Sequence, residues 1–202
     1  MKRNRRTPAG VLAATLLMAG LTMGAAPAPA ADPDGGRVPP VTVAADPATH
    51  AALVAAAQRA QAENPNSQVR HICYAAHVQN IGWQPPVCDG RVAGTQGQSL
   101  RLEALDILVT GIGGVCADAY EQYSGWQGWR CGDDATDVVV GTTGQSLRME
   151  ALAVSVASGG VCVDGYVQNT GWQQWQCADA MQTALVGTTG QSLRLEAVAM
   201  TV

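Results

Sequence analysis

A tryptophan between a glycine and a glutamine occurs three times, at Gly82-Trp83-Gln84, Gly125-Trp126-Gln127 and Gly171-Trp172-Gln173. An exposed indole beside an amide suits sugars: the ring stacks on the apolar face of a pyranose and the amide meets its hydroxyls. A second indole follows in two of the copies, at Trp129 and Trp175, where the first copy has Pro86. The opposing reading is that large rings fill the core. It is preferred for Trp83, Trp126 and Trp172, because a chain with five Trp, four Tyr and no Phe needs its rings for packing. Trp129 and Trp175 are the better candidates for exposure, since one copy does without them. The ligand-binding candidates are therefore Trp129, Trp175, Trp83, Trp126 and Trp172, with Gln84, Gln127 and Gln173.

Arg101/Glu103, Arg148/Glu150 and Arg194/Glu196 also recur. Paired carboxylates flanking a bond are the signature of glycosidases. Here each glutamate has an arginine two residues away on the same strand face, which keeps it ionised and paired, the opposite of a general acid. These are expected to be structural ion pairs that fix register. Asp118 and Asp164 share a repeat position that Ala75 fills in the first copy, and Asp133, Asp134 and Asp137 cluster in one loop. Without an EF-hand spacing the cluster reads as a solvated loop, so no metal and no cofactor is expected. His77 stands where the other copies have Tyr120 and Tyr166, and no nucleophile is placed for it. Gln79, Gln122 and Gln168, with Gln98, Gln145 and Gln191, read as mainly structural amides. Catalytic residues are not expected.

Six cysteines, at 73, 88, 116, 131, 162 and 177, complete the set, with 15 residues from one member of each pair to the other. Repeat logic selects Cys73–Cys88, Cys116–Cys131 and Cys162–Cys177 among the possible pairings, each stabilising by about 3 kcal/mol. Such usage points to an oxidising compartment.

The elements that position these residues are three copies of one unit. GTQGQSLRLEA at Gly94–Ala104, GTTGQSLRMEA at Gly141–Ala151 and GTTGQSLRLEA at Gly187–Ala197 are spaced by 47 and 46 residues. Cys73 to Gln79 reads as a strand, Asp89-Gly90 as a hairpin turn, and Leu100 to Val109 as a long strand. In the third copy the apolar side switches near Glu196-Ala197, which predicts a bulge or a strand covered on both faces. One unit cannot bury its own apolar face, whereas three closing on each other can. The expected fold is all-β: three tandem repeats of about 45 residues closing with pseudo-threefold symmetry, β-prism-like with a β-trefoil as the alternative. The repeats span 68–109, 115–156 and 161–202 within a domain over 68–202.

Ahead of them, a basic start and an apolar run ending at Ala28-Pro29-Ala30 read as a signal peptide over 1–30. Residues 31–46 read as a flexible linker. Asp46-Pro47 supplies an N-cap and a first-turn proline for a helix over 47–64, stopped by Pro65. Without residues 1–30 the chain holds 8 basic and 16 acidic residues, net −8, and no lysine. That balance argues against nucleic acid and anionic lipid as partners. No second apolar run reaches the length of a membrane span. No C-terminal sorting pattern is read, so any attachment to a cell surface is expected to be non-covalent.

The unit Tyr-x-Ala/Asp-x-Val-Gln-Asn-x-Gly-Trp-Gln followed by Gly-Thr-Thr-Gly-Gln-Ser-Leu-Arg-Leu-Glu-Ala resembles the hydrophobic-W, or ChW, repeat of secreted bacterial proteins. The match lies at Tyr74–Val109, Ala117–Val156 and Val163–Val202. The resemblance implies a secreted protein acting in adhesion, in polysaccharide binding or in protein–protein contact, without catalysis of its own. The cysteine pairs depart from the family pattern, and so does Pro86. The expectation is a secreted, lectin-like binding protein for cell-wall or environmental polysaccharide. The alternative is a protein-interaction or adhesion module whose partner is a surface protein.

Overall fold

Alternating apolar residues make each repeat a set of strands around one long hairpin. The computed structural model describes residues 46–63 and 70–202. The expected signal peptide, the linker as far as residue 45 and the link 64–69 lie outside the described residues. Helix α1 (Pro47–Glu63) comes first, and the first repeat follows with β1 (His71–Val78), β2 (Gly82–Trp83), β3 (Val87–Cys88), β4 (Ala93–Gly94) and β5 (Leu102–Thr110). The second repeat holds β6 (Val115–Glu121), β7 (Gly125–Trp126), β8 (Arg130–Gly132), β9 (Val138–Gly141) and β10 (Met149–Val156). The third holds β11 (Gly160–Val167), β12 (Gly171–Trp172), β13 (Gln176–Asp179), β14 (Ala184–Gly187) and β15 (Leu195–Thr201).

Three five-stranded antiparallel sheets result, and none is made by one repeat alone. Each sheet is centred on its repeat's long hairpin, β1 with β5, β6 with β10 and β11 with β15. The outer partner of β5 is β9 of the second repeat, that of β10 is β14 of the third, and that of β15 is β4 of the first. Strands are thus exchanged around a ring. Buried Ile, Leu, Val, Met and Ala from all three sheets form one apolar cluster.

The recurrent GTxGQSLRxEA words are explained by this exchange. In each hairpin the register skips one residue, so that His77 faces Ala104 while Val78 faces Leu102. The skipped residue is Glu103, and in the other sheets it is Glu150 and Glu196. The expected bulge is present, and the strand is also buried along both faces. Each bulged carbonyl accepts a hydrogen bond from the neighbouring repeat's threonine amide, at 2.8 Å from Thr142 to Glu103, Thr188 to Glu150 and Thr95 to Glu196. The preceding glycines, Gly94, Gly141 and Gly187, have φ of 104°, 91° and 94°, and a Cβ there would collide with that carbonyl.

Tyr74, which sequence reasoning left as one strand residue among others, ties the first repeat to the last. Its hydroxyl donates to the Arg91 carbonyl and accepts from the Met200 amide at 2.8 Å. Burial raises its pKa well above the ordinary phenol value, against the Met200 bond.

The helix begins where expected. Asp46 Oδ2 accepts from the Thr49 amide at 3.0 Å and from its hydroxyl at 2.8 Å, an N-cap ahead of a first-turn proline. Thr49, Leu53, Ala56 and Ala57 form its buried face. That face lies on the outer side of the first sheet, against Cys73 and Leu108.

Candidate functional site

The indole-bearing turns lie inside disulfide-closed loops. Cys73–Cys88, Cys116–Cys131 and Cys162–Cys177 are bridged, as repeat logic selects, and each pair sits directly opposite in register. Each loop folds back as a two-residue strand whose tryptophan stands opposite an outward residue: Trp83 against His77, Trp126 against Tyr120, Trp172 against Tyr166. The rings meet edge to face with centroids 5.3, 5.4 and 5.5 Å apart.

This corrects the expectation that Trp83, Trp126 and Trp172 fill the core. None is buried, and Trp126 is 41 % exposed. The register sends these rings to the outer face, and strand aliphatics fill the interior instead. Trp129 and Trp175 are 48 % and 44 % exposed, as expected. Their turn requires a positive φ just after the Trp-Gln pair, at Gly128 (97°) and Gln174 (75°). Pro85 occupies that place in the first repeat, and a proline ring cannot adopt it. The missing indole at Pro86 therefore goes with a different turn.

Gln84, Gln127 and Gln173 are engaged internally. Their Oε1 atoms accept from the amides of Gly94, Gly141 and Gly187 at 2.8, 3.0 and 2.6 Å. Gln173 Nε2 also donates to the Gly187 carbonyl at 3.2 Å. Through these bonds each indole turn is tied to the glycine word that follows it.

In the second repeat the two indoles line a cavity of about 390 Å³ with Asp118, Ala153, Thr183 and Leu185. Leu185 comes from the third repeat, through the exchanged strand β14. Asp118 Oδ1 accepts from the Gln127 and Gly128 amides at 3.1 and 3.0 Å, pinning the turn that presents both rings. Burial lifts its carboxyl above the usual range, against those two amides and Arg130. The third repeat repeats the arrangement of types with Trp172, Trp175, Asp164 and Ala199, and Val92 stands at the place of Leu185. In the first repeat the matching face lies under α1, and Val139, at the place of Leu185, is only 6 % exposed against 48 %.

The Arg-x-Glu pairs close as expected, with Nη2 to carboxylate distances of 2.7 Å for Arg101–Glu103, 2.9 Å for Arg148–Glu150 and 2.8 Å for Arg194–Glu196. Glu196 also accepts from the Gly97 amide at 3.1 Å, and Glu103 faces His77 Nδ1 at 3.1 Å. The aspartates of the 133–137 loop diverge. Asp134 accepts from the Ile112 and Gly113 amides, and Asp137 faces His50 at 3.1 Å. Among the described residues no group of three His, Cys, Asp or Glu could hold a metal ion.

Two buried acids escaped the reading by residue type. Glu121 is fully buried with both carboxyl oxygens unpartnered, where the other repeats have Val78 and Val167. Burial first, then Glu103 and Glu150, push it up to about 9, against Arg101. Asp106, fully buried, stands where the others have Ala153 and Ala199. Burial and Asp137 push it up to about 7. The signal for both was available: each is an acid at a place where aligned copies carry an aliphatic residue.

The family model for Clostridial hydrophobic W repeats matches the chain three times, over residues 77–111, 122–157 and 166–202. No curated protein and no solved structure matches it significantly.

Proposed function

Because the chain belongs to the Clostridial hydrophobic W family, and its repeats carry their indoles outward, we propose that it is a secreted, non-catalytic, lectin-like protein that binds cell-wall or environmental polysaccharide. The observation that carries this reading is the shelf formed by Trp126 and Trp129 over the cavity with Asp118 and Thr183. In repeat three Trp172 and Trp175 stand at the matching places, with Trp175 44 % exposed, and offer a second pair of indoles. The two uncovered faces differ from the helix-covered one in the direction a hydroxyl-rich ligand requires. Ser155 and Thr201 stand where the covered face has Leu108, and indoles stand where it has Pro86. Two weak sites on a rigid body gain from a repetitive ligand. Pairing of each bulge glutamate with arginine supports binding without catalysis. Three disulfides support an extracellular location, and among the described residues no helix is long and apolar enough to cross a membrane. The ring of exchanged strands supports β-prism-like closure over a trefoil.

A second reading, a protein-interaction or adhesion module, is favoured by the aliphatic exposure next to the indoles, at Leu185 and Val92. One experiment separates the two. The protein is pulled down on insoluble polysaccharides and cell walls, beside the Trp129→Ala/Trp175→Ala double variant checked by circular dichroism. The polysaccharide reading expects retention of the wild type, release by free saccharide, and at least tenfold weaker retention of a folded double variant. Retention that free saccharide does not touch favours a protein partner, and no retention on any polysaccharide sinks the first reading.

A further inference from the structure

Asp106 lies on the outer side of the first sheet. Its register partners there, Ala75 on β1 and Val139 on β9, carry no charge. The charged and titratable groups facing it come from two other places. Asp137 precedes β9 and is itself nearly buried, and Asp46 and His50 belong to the N-terminal end of α1. His50 Nδ1 approaches Asp137 Oδ1 at 3.1 Å from a partly exposed position. Neither oxygen of Asp106 has a neutral or cationic hydrogen-bond donor. Two carboxyls that face each other out of water cannot both be ionised at low cost. With one proton between them, the Asp106 hydroxyl donates to Asp137, which also faces His50.

The helix above them is weakly held. Its buried face is one leucine, two alanines and a threonine, resting on Cys73 and Leu108. A helix of 17 residues with that little apolar contact is marginal by itself. Only the first repeat has an acid at this place, and among the described residues only the first sheet carries a helix, so acid and helix occur together.

We propose that α1 is a clasp on the outer face of the first sheet, latched by a single proton shared between Asp106 and Asp137 and released when that proton leaves. Release exposes in the first repeat the same sheet face that the second and third repeats leave open. In the docked state Asp106 keeps its proton up to about pH 7, against an ordinary value of 3.8. An undocked Asp106 is rehydrated but still faces Asp137, so it gives the proton up between the ordinary value and about 7. Undocking is therefore favoured by up to about tenfold per pH unit as pH 7 is approached from below, and levels off above that. The full change in the docking equilibrium is at most about a thousandfold. The proposal concerns α1 alone and holds or fails independently of which ligand the indole shelves take.

Hydrogen–deuterium exchange of the full chain between pH 4 and pH 9, corrected for intrinsic rates, tests it. The α1 amides are expected to open with a constant that rises by up to about tenfold per pH unit as pH 7 is approached and then flattens, while β10 opens far more rarely. Asp106→Asn, which can still donate to Asp137 but does not titrate, is expected to leave α1 closed and insensitive to pH. Should that variant fail to fold, Asp137→Asn is expected to move the midpoint below pH 7 by removing the facing charge. Equal opening of α1 and β10 across the range overturns the proposal. So does a pH response that survives in Asp106→Asn, or an unmoved midpoint in Asp137→Asn.

Discussion

Replacing Glu121 by valine, the residue at the matching place in the other two repeats, should stabilise the protein, and by more as the pH rises. An ordinary glutamate titrates at 4.5, whereas buried Glu121 is pushed up to about 9. Below pH 4.5 both folded and unfolded chains hold the proton and the group contributes no pH dependence. Between pH 4.5 and 9 the unfolded chain releases a proton that the folded chain keeps. The folded state then binds more protons, and stability falls with rising pH by about 1.4 kcal/mol per unit. Two and a half units separate 4.5 from pH 7, so the loss there is about 3 kcal/mol. Valine removes that penalty and the unpartnered carboxyl with it. The smaller side chain leaves a void worth roughly 1 kcal/mol in the other direction. The net gain at pH 7 is about 2 kcal/mol, a rise in Tm of roughly 6 °C for a domain of this size. Urea denaturation of wild type and Glu121→Val with disulfides intact, at unit steps from pH 5 to pH 9, reads this directly. Asp106 also makes the wild type pH-sensitive, but it does so equally in both proteins and cancels in the difference. Two stability curves that run parallel from pH 5 to pH 9 would refute the reasoning, and so would a valine variant less stable than wild type at pH 8.

Two further substitutions probe the ring of exchanged strands. Gly141→Ala places a Cβ against the Glu103 carbonyl at a φ of 91°, and should lower stability by about 2 kcal/mol or more in urea denaturation. Tyr74→Phe removes the hydroxyl that joins the Arg91 carbonyl to the Met200 amide, leaving the buried Met200 amide unpaired. The loss should be about 1–3 kcal/mol by the same assay.

Much of this fold was legible because the chain states it three times. The glycine words, the cysteine spacing and the face switch at Glu196 predicted repeats, disulfides and a bulge. Each has a local cause, in a turn, a loop closure or a register slip. What the sequence did not carry was which repeat supplies the outer strand of each sheet. That pairing joins Gly94 to Ala197, and no local pattern encodes it. The tryptophans were misassigned for a related reason. Scarcity of aromatics argued for burial, but the face on which an indole lands is set by its partner across the hairpin, His77, Tyr120 or Tyr166. The bonds from Gln84, Gln127 and Gln173 to glycine amides elsewhere in the same repeat were not legible either, because they span ten or more residues. Glu121 and Asp106 were readable only by comparing the copies position by position, since their residue type alone is that of any surface acid.

The strand that each repeat gives away has a consequence for how the chain can be made. In an open array of repeats, each added unit packs on the one before, and folding can spread from either end. Here β4 of the first repeat has no partner until β15 of the last has been synthesised. During synthesis the first copy therefore leaves the ribosome with a glycine word and no carbonyl to receive its threonine amide. Closure rests on contacts between the two ends of the domain, which makes folding late, slow and all-or-none. A domain whose first repeat waits for a strand of its third cannot complete its sheets copy by copy as it is made. A change of copy number would leave β9 and β14 with their present acceptors, and the one join it would have to remake is that of β4 to β15.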